Sequence, residues 1–192
     1  GLEWYLLVAD PWQVVMSTDH PNGGSFLAYP QIIRLLMDRE FRREMVAQLN
    51  PAVLKHSCLA DLDREYTLSE IAVITRAGPA RILGLKRKGH LGVDADADIC
   101  VYEPNSNYQR MFELPHMVIK GGRVLVEDTE IRQTVEGKTL MANPSYDRHR
   151  NESIENWFSS HYLLQSEHYG IQDGNAFRRQ FESVAPPEES DS

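Results

Sequence analysis

The chain is poor in cysteine, in long apolar runs and in net positive charge. Cys58 and Cys100 are its only cysteines. Two are too few for a disulfide framework or a Cys-rich zinc site, so reduced thiols in the cytoplasm are expected. No apolar stretch approaches the roughly 18 residues of a spanning helix, and no basic segment precedes an apolar one as in a secretory signal. A membrane partner is therefore not expected. Lys and Arg number 20 against 28 Asp and Glu, a net charge of −8. A general nucleic-acid binder needs the opposite balance to face phosphate, so nucleic acid is not an expected partner either. His56, His90, His116, His149, His161 and His168 form neither an H-x-H nor an H-E-x-x-H spacing. No internal repeat is visible.

What is present is length and pattern. The 192 residues suffice for a buried core. The chain opens at Gly1 without a methionine, and Leu2 and Trp4 to Ala9 already read as core. The expectation is the C-terminal piece of something longer, because free termini are usually polar and frayed. Leu2, Leu6 and Ala9 recur at helical spacing, and Asp10-Pro11 stops them. Gln13 to Ser17 suits a buried strand, ending in the polar turn Thr18-Asp19-His20-Pro21-Asn22-Gly23-Gly24. Pro30 opens a helix carrying Ile32, Ile33, Leu35, Leu36 and Met37. Thr67 and Glu70 have capping-box spacing, and Gly84 marks the stop of the helix that follows. Ile99 to Tyr102 reads as a strand. Met117–Lys120 and Arg123–Val126 flank Gly121-Gly122, a hairpin signal. The end, from Pro186 to Ser192, reads as a disordered acidic tail.

Chemistry concentrates on the polar turn. In a barrel of parallel strands and helices, polar residues at the C-terminal ends of strands form the active site. A carboxylate there, Asp19, can ligate a metal and also move protons. Asn22, Gly23 and Gly24 suit a substrate entrance where backbone N–H groups approach closely. The same residues fit a plain turn equally well, and His20 alone fits a structural hydrogen-bonder. Asp94, Asp96 and Asp98 do not make a calcium loop, because Ile99 and Asn105 stand where Gly and Glu are required; a turn feeding a strand is the reading. Arg34, Arg39, Arg42 and Arg43 alternate with acids as on a solvated helix face. Lys86-Arg87-Lys88 is expected on a surface loop, and Cys100 as a small buried apolar residue. Trp157, Phe158, Tyr162, Leu163, Leu164, Tyr169 and Phe177 either pack on their own chain or dock on a partner; the first is the expectation.

Three blocks, in order, resemble the amidohydrolase superfamily. They are Ser17-Thr18-Asp19-His20-Pro21, then Ala77-Gly78-Pro79-Ala80 to Leu85 with Lys88-Gly89-His90 to Ile99, then Val118 to Val124. Asp10-Pro11-Trp12 and the Asn22-Gly23-Gly24 continuation are similar to the subfamily that holds the A-type subunits of formylmethanofuran dehydrogenase and the alpha subunits of methylotroph formyltransferase/hydrolase complexes. The resemblance implies an α/β fold: the C-terminal part of a metal-dependent (β/α) barrel, a small β-sandwich and an α or irregular C-terminal extension. Residues 1–87 would end the barrel, 88–139 belong to the sandwich, 140–184 form the extension and 185–192 the tail. It implies two zinc ions, with Asp19 the one ligand in this sequence and the others upstream. Asp19 then shuttles the proton, His20 orients it, and Asn22, Gly23 and Gly24 meet a methanofuran-type substrate. The implied reaction is hydrolysis or formation of an N-formyl amide in one-carbon metabolism, among the other subunits of a complex, with the 192 residues inactive alone. The alternatives are a hydantoinase-type cyclic-amide hydrolase and a metal-free scaffold subunit.

Overall fold

The computed structural model describes residues 1–142, 147–163, 168 and 181–184. They fall into two compact units, Gly1–Val135 and Glu136–Ser192. In the first, helices surround one core, and an antiparallel sheet follows in sequence. Helix α1 (Leu2–Leu7) buries Leu6. Helix α2 (Tyr29–Met37) has its proline in the first turn and buries Ile33, Leu36 and Met37, spaced three and one apart so that they share a face. Asp38 ends α2 in an extended conformation. Its side chain accepts the Phe41 N–H and so caps α3 (Arg39–Val46). A short turn of helix, α4 (Pro51–Leu54), lies beyond.

Thr67 and Glu70 form the expected reciprocal capping box at the start of α5 (Leu68–Ala72). The helix then widens into a π turn over Val73–Ala77 and continues as α6 (Gly78–Ile82). It stops at Gly84, with φ of 69°. The N–H of Leu85 reaches the Ala80 carbonyl and that of Gly84 the Arg81 carbonyl, the paired bonds of a Schellman stop. Leu6, Met16, Ile33, Leu36, Met37, Tyr66, Ile71 and Ile74 make one buried cluster. Each fully buried aliphatic side chain there contributes about 1.5–3 kcal/mol.

The sheet runs β1 (Ile99–Val101), β2 (Met117–Lys120), β3 (Arg123–Glu127) and β4 (Glu130–Ile131), antiparallel in that order, with α7 (Tyr108–Glu113) between β1 and β2. Gly121 and Gly122 have φ of 55° and 77°. That is the left-handed pair a two-residue hairpin requires. The second unit holds a parallel pair, β5 (Thr139–Ala142) with β6 (Phe181–Val184), and α8 (Asn151–His161). On α8 the Trp157 and His161 rings stack at 4.6 Å. Leu164, Tyr169, Phe177 and the acidic tail lie outside the described residues.

Four expectations change. Gln13 to Ser17 is not a ladder strand. Pro11–Gln13 is a 3₁₀ turn, and the extended stretch after it bonds to a helix carbonyl, Met16 N–H to Ile74 O at 2.9 Å. A ladder needs a neighbouring strand, and none lies beside it among the described residues. Arg42 is not on a solvated face: it is 1% exposed. Its guanidinium donates to the carbonyls of Leu35, Leu62 and Arg64 at 2.7, 2.9 and 2.8 Å. Cys100 is exposed on the edge strand β1 rather than buried. Lys88 lies half-buried between two carboxylates. The described strands of the first unit form one four-stranded sheet, and the mixed α/β class stands.

Candidate active site

Asp19 sits at the end of the extended segment with φ of 50°. Short polar side chains tolerate this left-handed conformation better than most. Its N–H donates to Ser17 Oγ at 3.3 Å, and its carbonyl accepts the Gly23 N–H at 2.8 Å, closing the turn. A Cβ on Gly23 would lie 2.9 Å from the Thr18 carbonyl oxygen and 3.0 Å from Asp19 Cβ. Glycine is therefore demanded by the turn itself. At Gly24 the nearest atom would be 3.7 Å away, an ordinary contact. His20 is exposed, precedes a cis peptide to Pro21, and sets its ring edge on Phe26 at 4.8 Å between centroids. Asn22 is exposed on the same turn. The structure thus gathers Asp19, His20, Asn22, Gly23 and Gly24 on one exposed loop.

The Asp19 carboxylate is exposed and takes no hydrogen bond or ion pair among the described residues. An anionic oxygen pair with its lone pairs unused fits one coordination position of a hard or borderline cation such as zinc. No three of His, Cys, Asp and Glu gather at a metal-binding distance among the described residues.

The segment leading to Asp19 is fixed by groups that sequence reading overlooked. The Tyr5 hydroxyl donates to the Val15 carbonyl at 2.7 Å. Burial pushes the Tyr5 pKa up, so the phenol stays a protonated donor at neutral pH. Tyr66 OH donates to the Tyr5 carbonyl, and the Arg64 guanidinium donates to the carbonyls of Val8 and Ala9 at the end of α1. Arg64 is itself held by Glu70 at 2.9 Å.

A second acidic turn is built differently. Asp98 accepts from Lys88 at 2.7 Å, from Lys120 and from the Gly121 N–H at 2.9 Å. Burial works to raise the Asp98 pKa. The bonds from Lys120, Lys88 and the backbone outweigh it and hold the carboxyl well below the usual range. For Lys88 burial opposes the charge, and bonds to Asp96 and Asp98 overcome it, so its pKa is raised.

An extended segment leads into a polar turn whose carboxylate has no partner among the described residues, with helices packed behind it in a mixed α/β unit. The chain belongs to the amidohydrolase family, whose profile matches residues 2–126. It is 39% identical over 173 residues to the A-type subunit of the formyltransferase/hydrolase complex Fhc of Methylorubrum extorquens, covering 90% of this chain and 32% of that protein. To protein FwdA of Methanocaldococcus jannaschii it is 36% identical over 185 residues, again 90% of this chain and 32% of the relative. The chain thus spans about a third of the length of the curated relatives it matches. It also superposes on the crystal structure of the Methylorubrum extorquens formyltransferase/hydrolase complex FhcABCD with methylofuran. There the TM-score is 0.81 and the identity 39%, over 96% of this chain and 34% of the matched one. No helix among the described residues is long and apolar enough to cross a membrane.

Proposed function

We propose that this chain carries the aspartate end of an amidohydrolase active site that hydrolyses, or in reverse forms, the N-formyl amide of a methanofuran-type substrate. The observation that carries the reading is the unpaired Asp19 carboxylate on its glycine-closed turn, in a sequence 39% identical to a component of the Fhc complex. In hydrolysis the C–N bond of the formamide breaks and a C–O bond to water forms. Asp19 takes the proton from that water and delivers it to the departing nitrogen, which is too basic to leave as an anion. His20, packed on Phe26, orients the turn rather than reacting. Asn22, Gly23 and Gly24 border the substrate entrance. Asp19 would be a ligand of one of two zinc ions, the other ligands lying upstream of Gly1, and the ions when bound would supply carbonyl polarisation and a more acidic water.

In this reading, residues 1–87 end a (β/α) barrel and 88–139 are the chain's share of a β-sandwich. Residues 140–184 are an extension and 185–192 a tail. The complete protein works in the cytoplasm beside other subunits of a formylmethanofuran dehydrogenase or formyltransferase/hydrolase complex. The 192 residues alone are inactive.

The test is a substrate panel on the complete protein. An N-formyl amine of methanofuran type should be cleaved, with loss on chelation and recovery with zinc. Turnover of hydantoin or dihydrouracil instead would make it a cyclic-amide hydrolase. No turnover of either class with metal-loaded protein would make it a scaffold subunit.

A further inference from the structure

The Gly78-Pro79-Ala80 motif lies about sixty residues from Asp19 in sequence, yet its helix bonds to the extended segment that leads to Asp19. In the π turn the Gly78 N–H closes on the Val73 carbonyl, five residues back. In the same register the Ile74 carbonyl would take the N–H of residue 79, and proline has none. The freed carbonyl accepts the Met16 N–H instead, at 2.9 Å. Gly78 suits the widened turn, where a Cβ would lie 2.9 Å from the Val73 carbonyl oxygen, and it packs on the segment at ordinary contact distance, its Cβ position 3.5 Å from Val15 Cγ1. From another side the Tyr5 hydroxyl holds the Val15 carbonyl at 2.7 Å. Ile74, at the centre of the turn, is fully buried, and Met16 nearly so.

We infer that Tyr5 and Pro79 are positioning residues for Asp19: they fix Val15 and Met16 through the Tyr5 hydroxyl and the Ile74 carbonyl, and so set where the Asp19 carboxylate stands. Two directional bonds, one to the carbonyl and one to the N–H of the single Val15–Met16 peptide unit, hold that plane from both sides and remove the freedom to slide or twist that a lone extended segment would keep. A carboxylate that must meet both water and a departing nitrogen gains from that fixity, because displacements near 1 Å cost up to about 100-fold in rate. The inference rests on the reading of Asp19 as the proton shuttle.

The experiment uses the complete protein with its partner subunits and four variants. Tyr5→Phe removes the donor and keeps the ring. Pro79→Ala restores an N–H that competes for the Ile74 carbonyl. Asp19→Asn tests the shuttle. Gly84→Ala strains the helix end without touching the clamp. Turnover of the N-formyl substrate is read together with deuterium uptake in the peptide spanning residues 14–18. Tyr5→Phe and Pro79→Ala should each lower kcat about tenfold, leave KM within about twofold and raise uptake in that peptide. Gly84→Ala should lower the melting temperature and leave kcat and uptake in residues 14–18 unchanged. Parent-like uptake in both clamp variants overturns the clamp. Raised uptake with unchanged kcat, while Asp19→Asn is inactive, overturns the positioning role and leaves the shuttle standing. Parent-like turnover in Asp19→Asn overturns the shuttle and, with it, the positioning role.

Discussion

Two aspartates, one on a tight turn and one at the entry to strand β1, meet opposite fates in this chain. Asp98 has its oxygens filled by two ammonium groups and a backbone N–H. Asp19 has none of these among the described residues, on a turn where Gly23 leaves no room for a side chain beside it. Each charge-assisted bond to Asp98 lowers the energy of the carboxylate and spends a lone pair that no substrate or cation can then use. A saturated carboxylate holds structure together, and an unsaturated one is available for chemistry. Two residues of one type are thereby told apart by their partners: Asp98 is saturated, and Asp19 has its oxygens open among the described residues.

The contrast breaks first at Asp19. Asp19→Asn in the complete protein should lower kcat by about 1,000-fold, within the usual span for a lost acid–base group. Its melting temperature should stay unchanged, because the side chain supports nothing. A measurable loss of stability would move Asp19 into the structural class. Asp98→Asn should do the reverse. It strips two lysines of a charged acceptor and costs about 2 kcal/mol in urea denaturation, with kcat retained. A drop in kcat comparable to that of Asp19→Asn would erase the distinction.

The pH dependence sharpens the same point. The Asp98 carboxyl is lowered from its ordinary 3.8 in the folded protein. Its stabilisation is therefore full above that ordinary value and fades as the pH falls through the folded one. Lys88 is raised from 10.5, so its share is full below that value and fades only above it. The cluster contributes a flat plateau across neutral pH and loses its hold in acid. Denaturation midpoints measured between about pH 5 and pH 2 should fall less steeply in Asp98→Asn than in the parent; parallel curves would show that the cluster is not what acid breaks. The smallest effect concerns Asp94, exposed and at φ of 64°. Asp94→Gly should stay within about 0.5 kcal/mol of the parent in chemical denaturation. Asp94→Ala should cost about 1 kcal/mol, because Ala lacks the short polar side chain that eases the left-handed conformation for Asp.

What was legible in the sequence depended on the reach of the signal. Thr67 with Glu70, Pro30, Gly84 and Gly121-Gly122 act within a few residues, so their motifs announced the caps, stops and hairpin that formed. The polar turn around Asp19 was legible for the same reason. The fate of Arg42 was not, because its three acceptors lie 7, 20 and 22 residues away and its alternation with acids imitates a wet surface. Cys100 misled because an apolar run does not say which face of a strand meets water, or that the strand is an edge. Gln13 to Ser17 had strand composition, but a ladder is a property of two segments. The pairing of Lys88 with Asp96 and Asp98 hid inside what looked like a basic cluster and a calcium-like run.

Arg42 also governs how the chain tolerates change in length. One guanidinium on α3 gathers the carbonyls of Leu62 and Arg64, so the excursion between them is tied off at its base. Residues 47–56, at its far end, are almost all exposed. Extra residues inserted at 47–49, before α4, lengthen a connection already closed by other means, and each doubling of its length costs only about 0.6 kcal/mol. That tip is where this protein can accept a tag, a fluorophore or an inserted peptide while α2, α3 and the segment bearing Asp19 stay as they are.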